Sequence, residues 1–540
     1  MTLTHNAWMD PTTQMNCGCG DPGVFMWFIA WNAHAIDAGL NPFSTHAIWF
    51  PNGANLLDSN SVFFISLISY PFTKLGGPIL SFNIALTLSP VVSAISMSML
   101  AMRITKSPLA SFVGGFIYGF NPYVLGAMAF GDLQLSFAFF LPLLLVIIFD
   151  LATKKRGVIA SATFAALLII CQYLTSQEIL LASLLIVILC GPIVYLFSMK
   201  FFDLKLFIKF GILVLVIFIV VDGAMVLYSL IGPNSVHSTP VPYPWQWGMG
   251  FRGLWSAPSR TPHGDPLSLL FGFSGAVKPD SEYFGSILLV LLLLCIISGF
   301  KDRILLAASC SLVIAFLLTL GSPNTVNSPK QVHFLPWWLM LHLPFVRLIF
   351  PTHLVIFVWF FAAIIFARAV KRLTEKSQTS DRLAFLRRPE AVLLLLLLSA
   401  TQVAFALDPV IPTTRVSAPS WLATIPKSKV NSVVILSPLG NLYTSTPMVF
   451  QALDGFKFNL VGAYGVFEPG PYVNSAFNID MPIMNDLQQK TFSISRFRSD
   501  LSKYRVNAVV IVDSNEYIGL LIQVYRHSPV MIGQNTWLFK

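Results

Sequence analysis

Residues 115–143, "GFIYGFNPYVLGAMAFGDLQLSFAFFLPL", decide how this chain is built. Two apolar runs meet at one short polar turn, "FGDLQLSF" (130–137), and the whole stretch carries a single charged residue, Asp132. A helix needs about 20 apolar residues to cross a bilayer. Two such runs back to back read as neighbouring transmembrane helices, with Asp132 and Gln134 in the tight connection between them. Composition extends this reading to the whole molecule. Of 540 residues, 55% are hydrophobic and 11% are charged, against about 25% charged in an ordinary soluble domain. Such a deficit means that apolar surface faces lipid. The 46 Phe and 12 Trp suit a membrane protein, because aromatic rings settle at the interface.

Outward from the opening stretch, spans are expected at 79–102, 107–124, 134–151, 157–173, 177–198, 206–230, 284–300, 303–320, 353–371 and 391–408, with an interfacial helix at 61–75. The net charge of +10 does not point to nucleic acid. Basic residues fall in short loops between the apolar runs, as the positive-inside rule requires. "RITK" (103–106), "KKR" (154–156), "KFFDLKLFIK" (200–209), "KDR" (301–303) and 368–390 hold 17 of the 34 Lys and Arg. The opposite loops before residue 409 hold Lys74, Arg252, Arg260, Lys278, Lys330 and Arg347. The basic set is therefore read as cytoplasmic, and 1–78, 231–283, 321–352 and everything from about 409 as outside. Both ends outside with an even number of spans calls for one further span ahead of residue 1. The sequence is read as lacking that first helix.

The last 130 or so residues change character. "VNSVVILSPLG" (430–440) and "YRVNAVVIVDS" (504–514) read as buried strands, and "STPMVFQALDGF" (445–456) as a Pro-started helix stopped by Gly455. Strands alternating with helices argue for a small α/β domain. The expected architecture is mainly α: a polytopic transmembrane bundle of about ten spans with outer loops and a C-terminal α/β extracytoplasmic domain. Its parts are an outer first loop (1–78), the bundle (79–408) and the α/β domain (409–540). Cys171, Cys190, Cys295 and Cys310 lie in apolar runs, and Cys17 and Cys19 are too close for an ordinary disulfide, with no His or Cys cluster beside them to make a metal site. No cleavable signal peptide, internal repeat or soluble-enzyme motif is visible.

Carboxylates are scarce, so each outer one can be weighed. Asp21-Pro22 is a good helix start, with Asp at the N-cap and Pro at the first helical position, and a plain cap accounts for the pair. The helix that follows is aromatic. Trp27, Trp31 and His34 share one face, and Phe25, Ile29 and Ile36 another. Lying in the interface plane, it would hold Asp21 at the depth of lipid phosphates, where a general base acting on a lipid-linked substrate is needed. His46 and Asp58 stand in a loop punctuated by Asn, Gly and Pro, as substrate contacts or turn residues. Asp132 with Gln134, and Glu178 with Gln177 in "TSQEILL" (175–181), mark two tight outer turns. Each acid can be read as a cap, or the two turns can ring a cavity. Asp222 lies inside a predicted span, where an acid is costly. Arg252, Arg260 and Arg347 are scarce outer cations able to clamp a phosphate. His353 stands beside Arg347 at the mouth of a span.

Several stretches together carry a resemblance: "GDPGVFMWFIAWNAHAIDAGLNPF" (20–43), "FPNGANL" (50–56), the opening stretch, "TSQE" (175–178), "YFGSILL" (283–289), "LLTLGSP" (317–323), "LPWWLMLHLPFVRLIFPTHL" (335–354) and "FQALDGFKFNLVGAYG" (450–465). On these the chain resembles bacterial polytopic glycosyltransferases of the GT-C superfamily, of an actinobacterial type. The resemblance implies a first outer loop whose acidic residue is the catalytic base or stands near it, which Asp21 matches. It also implies a polyprenyl-phosphate sugar donor, an acceptor in a cell-envelope glycan, lipid or protein, inversion at the anomeric carbon, and a multi-pass place in the bacterial plasma membrane. Trp27, Trp31, His46, Asp58, Asp132, Gln134, Gln177 and Glu178 become candidate substrate contacts. Arg347, Arg252, Arg260 and His353 become candidate holders of the donor phosphate. A divalent cation, Mg or Mn, is left open, although Pro22 stands where a second acid often follows the first. The alternatives are a transporter or flippase, and a catalytically silent assembly protein.

Overall fold

The structure is a computed structural model. It describes residues 3–16, 21–59, 61–198, 203–236, 284–321, 335–340, 342–343, 346, 349–379, 411–427, 430–436, 445–466, 493–513 and 518–540. Its helices are α1 (His5–Met9), α2 (Pro22–Ala38), α3 (Phe63–Thr105), α4 (Pro108–Gly119), α5 (Pro122–Phe130), α6 (Leu133–Ser136), α7 (Phe140–Ala152), α8 (Val158–Tyr173), α9 (Gln177–Ser198), α10 (Leu204–Ile231), α11 (Ser286–Gly299), α12 (Arg303–Thr319), α13 (Pro336–Met340), α14 (Val355–Thr379), α15 (Thr446–Leu453), α16 (Ile494–Lys503) and α17 (Ile518–Tyr525). Among the described residues, five helical stretches are long and apolar enough to cross a membrane: Phe63–Thr105, Leu133–Ala152, Gln177–Phe197, Leu204–Ile231 and Pro351–Glu375. Each expected span from 79–102 to 353–371 contains a helix, and 391–408 lies outside the described residues.

Local chemistry sets the boundaries. Asp203 and Asp302 accept hydrogen bonds from the first free backbone N–H groups of α10 and α12. The expected span 107–124 stops at Gly119, because Asn121 starts a new helix by accepting from Val124 N at 3.0 Å, with Pro122 following. α3 breaks at Gly77, whose φ of 83° and ψ of 174° suit only glycine. The interfacial helix expected at 61–75 is thus the part of α3 before this break. The span expected at 134–151 is interrupted between α6 and α7, where Ala138 N donates to Ser93 Oγ at 2.9 Å in place of a helical bond.

Two sets of contacts mark the two ends of the bundle. At one end, Arg103 pairs with Asp150 at 2.8 Å, and Arg368 pairs with Asp302 at 2.6 Å while also donating to Ile104 O. The basic segments around 103, 150, 302 and 368 therefore lie together. At the other end, Phe64 N donates to Leu174 O, Gln177 Nε2 to Leu57 O, and Asn55 Nδ2 to Tyr228 O.

The C-terminal stretch builds a five-stranded sheet from β5 (Ser432–Leu436), β6 (Asn459–Leu460), β7 (Val506–Val512), β8 (Val530–Gly533) and β9 (Thr536–Phe539), in the order β6-β5-β7-β9-β8. β5 runs parallel to β6 and β7, while β9 is antiparallel to β7 and β8. The first loop is built into this region. β1 (Gln14–Asn16) pairs with β4 (Thr413–Arg415), and within the loop β2 (Ser44–Thr45) pairs with β3 (Ala54–Asn55). Leu460 of β6 donates to Ala47 O at 2.7 Å and accepts from Phe50 N at 3.0 Å, so the edge strand is covered by the loop. One hydrophobic core joins Val24, Trp27, Trp31, Ile48 and Trp49 to Val433, Ile435, Val509 and Ile511.

α2 accordingly does not present an exposed apolar face. Thirteen of its 17 residues are buried, the helix packing against α3 and α15. Its two aromatic faces leave no polar face for water, and a helix apolar all round is covered on all sides.

Candidate active site

Asp21 occupies the N-cap position of α2, yet its side chain makes no capping hydrogen bond. The start of α2 instead faces the C-terminal stretch, from which Tyr464 acts on the carboxylate. Burial pushes this carboxyl above its ordinary value, and the Tyr464 hydrogen bond partly opposes that rise.

Three chain segments close around this point. The first is the 131–132 turn. Gly131 ends α5 at φ 77°, and a Cβ there would stand 2.8 Å from Pro22 Cγ. Only glycine allows both the left-handed turn and the approach, and the contact sets Asp132 beside the start of α2. The second is the start of α15. A Cβ on Gly23 would meet Ser445 Oγ at 2.3 Å, and that buried hydroxyl has no hydrogen-bond partner among the described residues. The third is the 464–465 turn, where a Cβ on Gly465 would stand 3.1 Å from Val24 Cγ2.

A second cluster gathers around Glu178, in the first turn of α9. Its Oε1 accepts from Phe350 N at 2.9 Å and pairs with His353 Nδ1 at 2.8 Å. Two residues read separately from the sequence are thus in contact. Tyr123, on α5 just ahead of the Asp132 turn, feels the charge of both Glu178 and Asp132. The Tyr123 hydroxyl and Gln134 Oε1 are buried without hydrogen-bond partners among the described residues.

The other candidates are placed as follows. Asp58 accepts from Ser229 Oγ at 3.0 Å and Val236 N at 2.9 Å, which ties down the end of α10. Gln177 spends its amide on Leu57 O. His46 is exposed and its ring lies over Gly53. Trp27 and Trp31 stack at 5.9 Å inside the shared core, and Trp27 Nε1 donates to Gln451 Oε1 at 2.9 Å. Asp222 is buried on α10 with neither oxygen hydrogen-bonded among the described residues. Arg252, Arg260 and Arg347 lie outside the described residues. Among the described residues, no three His, Cys, Asp or Glu side chains gather to hold a metal ion.

Tyr464 and Tyr123 were not singled out from the sequence. Tyr464 lies within the stretch 450–465 that carries the resemblance, but no local spacing connects it to Asp21 at the far end of the chain.

These features define a class: a helical membrane bundle whose first loop and C-terminal α/β region close together over one end. No protein-family model matches the sequence, and no curated protein is similar enough to count as a relative. Solved structures do match. ArnT from Cupriavidus metallidurans in the apo state is 12% identical with a TM-score of 0.51, over 98% of this chain and 94% of that one. The same protein bound to undecaprenyl phosphate matches at 12% identity and a TM-score of 0.49, over 98% of this chain and 94% of that one. The arabinofuranosyltransferase AftD from Mycobacteria is 12% identical with a TM-score of 0.51, over 99% of this chain but 38% of its own length. The likeness shows a fold shared with ArnT and AftD.

Proposed function

We propose that this protein is a multi-pass membrane glycosyltransferase that moves a sugar from a polyprenyl-phosphate donor to a cell-envelope acceptor. The reaction takes place on the outer face of a bacterial plasma membrane. The observation that carries this reading is the Asp21 carboxylate, which sits at a helix start without capping it and is desolvated where three chain segments meet. A partly buried carboxyl with a raised pKa is a better proton acceptor than an ordinary one. The fold and the sequence resemblance supply the reaction class, and the resemblance supplies the donor.

In the proposed step, an acceptor hydroxyl oxygen forms the new bond to the anomeric carbon from the face opposite the leaving group, inverting that centre. Its proton passes to Asp21. The bond from the anomeric carbon to the phosphate oxygen breaks, and polyprenyl phosphate leaves with the electron pair. Arg347, Arg252 and Arg260 receive that charge, with His353 held in place by Glu178. Asp132, Gln134 and Tyr123 face the sugar or the acceptor, and the C-terminal region covers the cavity.

The test is transfer from a panel of radiolabelled polyprenyl-phosphate sugars, using membranes that carry wild-type protein or Asp21→Asn. Wild type transfers, and the variant falls by about 10²- to 10⁴-fold with its fold intact. Equal transfer by the variant would remove Asp21 from the reaction. No transfer by folded wild type across the panel would remove the activity itself and return attention to transport.

A further inference from the structure

Most cations at the basic end of the bundle are spoken for. Arg103 is bonded to Asp150 and Arg368 to Asp302. Arg156 lies over the Phe164 ring at 4.7 Å. Lys205 and Lys209, at the start of α10, differ. Both are exposed, and among the described residues no carboxylate pairs with either. Asp203, the nearest acid in sequence, turns Oδ1 to the N–H groups of Lys205 and Leu206 as the helix cap. Tyr228 and Ser229, near the other end of α10, are bonded to the first loop. The two lysines therefore lie roughly 35 Å along the helix from that loop.

α8 packs on one side of α10 and leaves a long stripe uncovered. Lys205, Lys209, Ile212, Val216 and Val220 recur at intervals of four and three and so share one face. Ile212 is 57% exposed, Val216 50% and Val220 78%. The stripe begins with two cations and continues for roughly 12 Å as aliphatic surface. At its head is a shallow cavity of about 340 Å³, lined by Lys205, Ile208, Lys209, Ile212 and Leu213.

We propose that this stripe binds one anionic phospholipid of the bilayer, its phosphate between Lys205 and Lys209 and an acyl chain along Ile212, Val216 and Val220. A Lys ammonium is a compact charge on a flexible stem, so two of them one helical turn apart can close on the same phosphate. Their stems rest on apolar surface while the ammonium groups stay at the water boundary. A soluble phosphate would gain the two charges and nothing from the aliphatic stripe. A zwitterionic lipid would gain the stripe but bring its own ammonium to the lysines. An acidic headgroup with acyl chains satisfies both halves. Lys154 and Lys155, exposed in the loop ahead of α8, add positive potential at this end without lining the cavity. The site is separate from Asp21 and does not depend on sugar transfer.

The experiment places the full chain in phosphatidylcholine nanodiscs with a trace of phosphatidylglycerol that carries a photoreactive diazirine on its acyl chain. A phosphatidylcholine probe with the same chain is the comparison. After irradiation, peptide mapping is expected to find the phosphatidylglycerol label on residues 208–220, about 30-fold above the phosphatidylcholine label. Lys205→Gln with Lys209→Gln should bring it down to the phosphatidylcholine level. Lys154→Gln with Lys155→Gln removes the same charge from the same end and should keep most of it. Inorganic phosphate, added at constant ionic strength, should leave the label in place. Equal labelling by the two probes in wild type, or an equal loss in both double variants, overturns the site and leaves only a general surface charge. Displacement by inorganic phosphate would make it a soluble-anion site instead. Absence of label from α10 also overturns it, and means that a second copy or another segment of the chain covers the stripe. The wild-type map and the phosphate competition need no variant, so they stand even if one fails to fold.

Discussion

Two apolar helices, α2 and α10, meet opposite fates. Thirteen of 17 residues are buried in α2, whereas only Phe210 and Asp222 of the 28 in α10 are buried. α10 packs chiefly on α8 and presents Ile208, Ile212, Leu215 and Val220 outward. It is held at its end by polar bonds from Asn55 and Asp58. α2 is held along its length by rings, a Trp–Gln hydrogen bond and a glycine contact. Apolarity brings a segment out of water, but it does not say whether protein or lipid will cover it. The helix covered by protein is the one whose N-cap, Asp21, is the proposed base.

The sharpest way to break this contrast is to truncate one residue of each helix. Trp27→Ala removes a fully buried ring and leaves Gln451 Oε1 without its donor. It should cost about 3–5 kcal/mol. Leu215→Ala, on an outward face, should change stability by less than about 0.5 kcal/mol, because lipid is as apolar as the side chain it replaces. Equal costs in denaturation of the detergent-solubilised protein would erase the distinction.

A smaller effect is expected from adding one methyl group. Gly23→Ala must displace Ser445 and separate α15 from α2, at about 1–3 kcal/mol. Gly211→Ala on α10 meets nothing within 4 Å and should be neutral, or stabilising by up to about 1 kcal/mol. A tolerated Gly23→Ala would mean that the start of α2 is not closely fitted.

The smallest effect concerns pH. The Asp21 carboxyl is raised by burial, so the folded protein holds this proton more tightly than the unfolded chain does. Its contribution to stability is full below the ordinary carboxylate value and is lost as pH rises through the raised one. Asp21→Asn has no such loss. Melting curves should therefore show the variant gaining on wild type as pH rises through that window, even as transfer disappears. A constant difference across the window would mean that Asp21 is not desolvated.

The spans were legible because lipid imposes one requirement, about 20 apolar residues, and basic residues gather at one end of them. Helix starts at Asp203, Asp302 and Asn121 were equally local, each depending on a side chain two or three residues from the N–H it satisfies. The Asp21-Pro22 helix start was legible too, but the direction of the carboxylate was not. An N-cap carboxylate can cap its own helix or not; here it does not, in surroundings built by Gly131, Ser445 and Gly465, all distant in sequence. The interfacial helix expected after Asp21 became a buried one for a similar reason. Rings at 25, 27, 28 and 31 say only that most of the surface is apolar. The cover comes from Gln451, Phe456 and the five-stranded sheet.

By itself, then, the sequence determined that this chain lives in a membrane, where its helices run, and which few carboxylates and cations between them are available for chemistry. These follow from local composition and from the cost of moving charge or bare backbone into lipid. Only the tertiary structure decided which of those groups meet. Glu178 meets His353, Asp58 anchors α10, and the start of α2 meets Ser445 and the 464–465 turn. Each pairing depends on contacts between segments far apart along the chain, and those contacts are selected by the packing of the whole core.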